Sequence, residues 1–168
     1  MPGAYIAVIG PGNDATEAEL AAAEEVGRLL ARAGATVVCG GLGGVMAAVS
    51  KGARSNGGVA VGLLPGHEHG AGNAYLTVEL PTGQGEMRNA LVVTVAEAVI
   101  AIGGSWGTLS EIALAMRTGT PVFQLAGWPV RDPAGGGPQP AATAAQAVTL
   151  ALAAARAARA ARAPSPRP

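Results

Sequence analysis

The chain has 168 residues, 49% of them hydrophobic and only 13% charged, with 11 basic residues against 11 acidic ones. That length and apolar content fit one domain with an ample core, and the even charge balance lacks the basic face that nucleic-acid binding requires. Cys39 stands alone, which excludes an intrachain disulfide, Met1–Tyr5 lacks a signal-peptide pattern, and no apolar run approaches the ~20 residues of a membrane helix. The expected location is the cytoplasm, with neither nucleic acid nor membrane as a partner.

The elements alternate along the chain. Tyr5–Ile9 is a β-branched run ending at Gly10 and predicts a buried strand. Thr16–Ala33 predicts a helix that opens on a capping box, either Asp14 with Glu17 or Thr16 with Glu19, and ends at Gly34. Thr36–Cys39 is a second strand, Gly43–Ser55 a second helix, and Val59–Leu64 a third strand. A polar loop, Gly66–Asn73, leads to a short strand at Tyr75–Leu80. Glu86–Ala96 predicts a helix, Ala98–Ile102 a strand, Thr108–Arg117 a helix and Pro121–Leu125 another strand. An Ala-rich helix over Ala141–Ala161 follows a loop at 135–138. Strand–helix alternation of this kind implies an α/β fold: a single Rossmann-like, doubly wound, mostly parallel sheet with helices on both faces. One domain over 1–162 is expected, with a disordered tail over 163–168.

Three strands run straight into glycine-rich turns. After the first, Gly10-Pro11-Gly12-Asn13-Asp14-Ala15 fits the dinucleotide pattern G-x-G-x-x-G/A, but the second strand ends without the acid that would hold a ribose, which counts against NAD. After the second comes Gly40-Gly41-Leu42-Gly43-Gly44-Val45-Met46, more glycine than a simple turn requires. A helix then begins, and its free N–H groups suit a phosphate without basic side chains. After Ala98–Ile102 comes Gly103-Gly104-Ser105-Trp106-Gly107-Thr108-Leu109-Ser110-Glu111, a second anion cradle. Within it, Thr108-x-x-Glu111 also fits a capping box, which would give Glu111 a purely structural role.

These segments resemble the SLOG superfamily, which includes the Lonely Guy (LOG) phosphoribohydrolases and the molybdenum-cofactor carrier proteins. The resemblance runs from about Tyr5 to about Trp128. Gly40–Met46 matches the LOG turn G-G-G-x-x-G-L-M, and Gly103–Glu111 partly matches P-G-G-x-G-T-x-x-E. Arg88 and Glu111 align with the LOG Arg–Glu pair. The departures are Gly103 for the family Pro, Ser105 for a Gly, and Asn89 for the Lys after the Arg. Pro81-Thr82-Gly83-Gln84-Gly85-Glu86-Met87-Arg88-Asn89 is closer to the cofactor-carrier branch.

Two functions follow from the resemblance. The preferred one is a carrier that holds the terminal phosphate of molybdenum cofactor or of a nucleoside monophosphate. Its binding residues would be Gly10, Gly12, Gly40, Gly41, Gly43, Gly44, Met46, Thr82, Gly83, Gly85, Arg88, Asn89, Gly103, Gly104, Ser105, Trp106, Gly107, Thr108 and Glu111. Arg88 would supply a charge-assisted contact, and no resident cofactor or metal is required. The alternative is a LOG-type phosphoribohydrolase with Arg88 and Glu111 catalytic, in which Glu111 activates water. The resemblance also implies a homodimer or homotetramer. An older superfamily label, lysine decarboxylase, has no support, because Lys51 is the only Lys and nothing marks it as a Schiff-base residue. A purely structural module would carry no small-molecule ligand, and the glycine density argues against it. His67 and His69 make a weak metal pair, more simply read as part of a solvated loop. Trp106 is divided between stacking on a ligand ring and burial, Trp128 is expected to pack at its strand end, and Arg156, Arg159 and Arg162 are expected on a solvated helix face.

Overall fold

A computed structural model describes residues 3–162; the tail expected over 163–168 lies outside the described residues. Seven strands form one sheet in the order β4-β3-β2-β1-β5-β6-β7, and every pairing is parallel. The strands are β1 (Tyr5–Ile9), β2 (Thr36–Cys39), β3 (Val59–Leu64), β4 (Val78–Pro81), β5 (Ala98–Ile102), β6 (Val122–Leu125) and β7 (Gln139–Pro140). The helices are α1 (Glu17–Arg32), α2 (Val45–Arg54), α3 (Asn89–Thr94), α4 (Trp106–Thr118) and α5 (Ala144–Arg162). No helix among the described residues is long and apolar enough to cross a membrane.

Alternate strand residues feed two cores, as a sheet's period of two dictates. Ile6, Val8, Val37, Ile100 and Phe123 pack under α1, α2 and α5, whereas Ala7, Ile9, Val38, Val99 and Ala101 pack under α3 and α4. The second face has only these two helices, so Leu63, Leu80, Tyr5 and Val95 border an open apolar groove. Leu80 is 47% exposed and Val95 50%.

Some expectations are corrected. The capping box of α1 is the Thr16–Glu19 one: Thr16 Oγ1 accepts from the Glu19 amide, and the Glu19 carboxylate accepts from the Thr16 amide at 2.7 Å. The strand expected over Tyr75–Leu80 starts at Val78 and reaches Pro81, paired only with β3 at the sheet edge. The helix expected over Glu86–Ala96 is a 3₁₀ turn, Gly85–Arg88, followed by α3. Arg159 does not lie on a solvated face: its guanidinium pairs with Glu97, Nη2 donating to Oε2 at 2.9 Å, and so ties α5 to the segment before β5.

Candidate functional site

The sheet reverses its winding at β1, whose neighbours are β2 and β5. At such a switch point the chain leaves β1 and β5 toward opposite faces, which opens a crevice at their carboxyl ends. A cleft of about 320 Å³ lies there. Ile9, Gly10 and Gly12 from the β1 exit, Gly40 after β2, and Ser105, Gly107 and Thr108 after β5 wall it, with Arg88 and Glu111 facing in.

The start of α4 sets the chemistry of one wall. Ser105 is the N-cap: its backbone is extended and its Oγ accepts from the Thr108 amide at 3.1 Å. Ser105 Oγ and Thr108 Oγ1 also share a hydrogen bond of 2.9 Å. The expected Thr108–Glu111 capping box is therefore overturned: the cap lies three residues earlier, at Ser105, and Glu111 is not needed to fasten the helix. The amides of Trp106 and Gly107 remain without an intrahelical acceptor, at the positive end of the helix dipole.

Arg88 and Glu111 are each only 7% exposed. Arg88 Nη2 donates to the Gly40 carbonyl at 3.2 Å, Nη1 donates to Asn89 Oδ1, and the buried Nε has no partner among the described residues. Asn89, where LOG enzymes have Lys, is thus a buttress for the guanidinium. Burial pushes the Glu111 carboxyl up to about 7, while the charge of Arg88 pulls it the other way. A carboxyl held near neutrality beside a fixed cation can take or give a proton at physiological pH.

The glycines divide by what surrounds them. A Cβ added at Gly12 would meet nothing within 4 Å, and one at Gly107 only Ser105 Oγ at 3.7 Å. Protein packing does not explain either glycine; each leaves room in the cleft. Gly44 is the opposite case. It has a positive φ of 63°, and a Cβ there would stand 1.9 Å from the Gly12 carbonyl oxygen. The Val45 amide donates to the Pro11 carbonyl at 3.0 Å, so the loop after β1 occupies the first amide of α2.

Of the residues singled out from sequence, Gly10, Gly12, Gly40, Met46, Arg88, Asn89, Ser105, Gly107, Thr108 and Glu111 come together around the cleft. The others lie outside its wall. Gly41 packs on Gly62 and Leu64, Gly43 approaches Asn13 Oδ1, Gly83 lies under the His67 ring, Gly103 abuts Glu19 and Gly104 lies under Trp128. Gly85 carries a positive φ of 56° at the start of the 3₁₀ turn. Thr82 fastens a loop, with Oγ1 donating to the Leu64 carbonyl at 2.8 Å. Trp106, left open between stacking and burial, is 78% exposed, which rules out burial; its chain neighbours Ser105 and Gly107 wall the cleft. The cleft also includes Leu42, Pro65 and Glu86. Glu86 was within reach of sequence reasoning, since it occupies a variable position of the string that ends in Arg88; Leu42 and Pro65 carry no such signal. Lys51 lies outside the cleft, where Glu24 at 3.0 Å keeps its ammonium charged by raising its pKa.

A model of the SLOG cluster4 family matches residues 3–158. The chain belongs to the SLOG cluster4 family. This SLOG chain is 41% identical over 120 residues to an uncharacterized protein of Archaeoglobus fulgidus, a match spanning 71% of this chain and 78% of that one. Its fold is similar to that of the molybdenum cofactor binding protein from Rippkaea orientalis, with a TM-score of 0.82 and 31% identity over 89% of this chain and 96% of that one. It is also similar to the molybdenum cofactor carrier protein of Chlamydomonas reinhardtii, with a TM-score of 0.81 and 29% identity over 90% and 98% of the two chains.

Proposed function

We propose that the cleft binds a phosphorylated small molecule and that the protein acts as a molybdenum-cofactor-carrier-like protein. One observation carries this reading: a buried guanidinium with an unpartnered Nε faces the same cleft as the open N-terminus of α4. A phosphate at that helix end accepts from the free amides and the Thr108 hydroxyl, and Arg88 adds a charge-assisted hydrogen bond. The space left beside Gly12 and Gly107 fits a ligand brought close to the backbone. The structural likeness to molybdenum cofactor binding and carrier proteins supports the choice of ligand.

A second reading rests on Glu111. A carboxyl poised near 7 in a cleft that takes a phosphate is suited to activate water in a nucleoside 5′-monophosphate phosphoribohydrolase. One experiment separates the two: binding of molybdenum cofactor and of AMP, and release of adenine from AMP, measured on the wild type, Arg88→Ala and Glu111→Gln. The carrier reading expects binding without adenine release, weakened about tenfold or more by Arg88→Ala, since hydrogen bonds to charged groups contribute ~1.5–3 kcal/mol. Adenine release lost in both variants would replace it with the hydrolase.

We further propose that a second copy of the chain covers the bare half of the sheet. All-parallel sheets are stable with both faces covered, and the groove beside Leu80 and Val95 is apolar. Sedimentation should give a dimer or tetramer, and Leu80→Glu should shift it to monomer. A monomeric wild type at micromolar concentration would exclude this interface.

A further inference from the structure

The chain has only 2 Trp, 2 Tyr and 1 Phe, yet both tryptophans meet at one place, beside the turn after β5 that supplies Ser105 and Gly107 to the cleft wall. Their rings stand 5.1 Å apart at 82°, edge to face. Trp128, 39% exposed, follows β6 and lies on the turn after β5: a Cβ added at Gly104 would come within 2.5 Å of its ring. Gly104 therefore lets the indole sit directly on the backbone and fixes its plane. Trp106, the first residue of α4, is held against that indole and is otherwise 78% exposed.

Beyond its edge-to-face contact with Trp128, folding gives little reason for Trp106. A tryptophan stabilises a fold through the large apolar area it buries, and this one buries little. The first position of a helix accepts many residues, and Ser105 already caps α4. What distinguishes the position is its neighbours. Ser105 and Gly107, on either side of it, both lie in the wall of the cleft. A ring presented here projects from the same turn that walls the cleft.

We propose that Trp106, braced by Trp128, is the ring subsite of the cleft. It takes the flat face of a fused heteroaromatic ring, a purine or a pterin, on a ligand whose phosphate sits at the α4 N-terminus. This rests on the phosphorylated-ligand reading above. The assignment divides recognition into two parts: the amides, Thr108 and Arg88 hold the phosphate, and the indole selects ligands that carry a ring over plain sugar phosphates. Stacking of this kind is indifferent to the ring's substituents, so it sets the class of ligand and leaves its identity to other contacts.

The test compares AMP with ribose 5-phosphate, the same phosphate and sugar without a base. Affinities are measured by calorimetry on the wild type, Trp106→Ala, Trp106→Phe and Trp128→Ala, with oligomeric state followed by sedimentation. The wild type should prefer AMP, and AMP should quench its tryptophan emission. Trp106→Ala should weaken AMP about tenfold or more, the scale of base stacking on an aromatic side chain, and leave ribose 5-phosphate unchanged. Trp106→Phe should recover part of the loss, and Trp128→Ala should show a smaller loss of the same selectivity. Equal affinity of the wild type for both ligands, an equal loss of both in Trp106→Ala, or unchanged AMP binding with a changed oligomeric state would overturn the ring subsite while the phosphate reading stands. Binding of neither ligand to the wild type would overturn the phosphate reading and the subsite together.

Discussion

Glu111→Gln should make the protein more stable at pH 8 than the wild type and give no such gain at pH 4. Burial raises the Glu111 carboxyl from 4.5 to about 7, so the folded chain resists its ionisation. Between those two values the folded state holds a proton that the unfolded state has released, and stability falls as pH rises through that window. Above about 7 the full penalty is present, up to about 3 kcal/mol for a shift of this size. Glutamine keeps the shape of the protonated acid and does not titrate. Urea denaturation of both proteins at pH 4, 6 and 8 measures the gap. A gap widening toward pH 8 is the expected result, whereas parallel curves would mean that the carboxyl ionises freely in the folded protein. A group that destabilises the fold at working pH is usual where chemistry or binding requires it.

Gly44→Ala and Gly107→Ala should have opposite effects, although both replace a glycine at the start of a helix. At Gly44 the positive φ of 63° and the 1.9 Å approach to the Gly12 carbonyl oxygen leave no room for a methyl group. The backbone cost and the overpacking together amount to roughly 3–5 kcal/mol, a large part of the stability of an ordinary domain. This variant should fold poorly or melt far below the wild type. At Gly107 no positive φ is required and the nearest atom, Ser105 Oγ, would be 3.7 Å from the new Cβ. Alanine there should leave the melting temperature unchanged or raise it, since it favours helix by up to ~1 kcal/mol over glycine. The same methyl group points into the cleft and should weaken AMP at least tenfold. Thermal melts and AMP titrations on both variants are sufficient. A Gly107→Ala protein that binds AMP like the wild type would place the ligand elsewhere.

The interior of the fold was legible in the sequence because its physics is local. β1, β2, β3 and β5 are buried runs rich in β-branched and small apolar residues, and turn residues mark their ends. Their bounds come out as expected. The edges were less legible: β4 was expected with shifted bounds, and β7 was not expected. β4 and β7 are short, and pairing with a neighbour defines them: Gln139–Pro140 is a strand only because it lies against Phe123 and Gln124. The cap of α4 was misplaced for another reason. The T-x-x-E pattern pointed to Thr108, whereas the chain leaving β5 is still extended at Ser105 and makes that residue the cap. That choice decides whether Glu111 fastens a helix or faces a cleft. The glycine turns were visible as a group, but their division was not. Which glycine makes space and which fills it depends on contacts such as Gly44 with Gly12, more than 30 positions apart in the chain.

That contact has a consequence for how the cleft responds to a visitor. The turns after β1 and β2 are wedged backbone against backbone and joined by the Val45–Pro11 hydrogen bond. They have little freedom to surrender when a ligand arrives. Under the proposed binding role, recognition at this end of the sheet would resemble a casting mould more than a closing hand: the two turns are set when the chain folds, and a ligand would gain its affinity without first having to organise them.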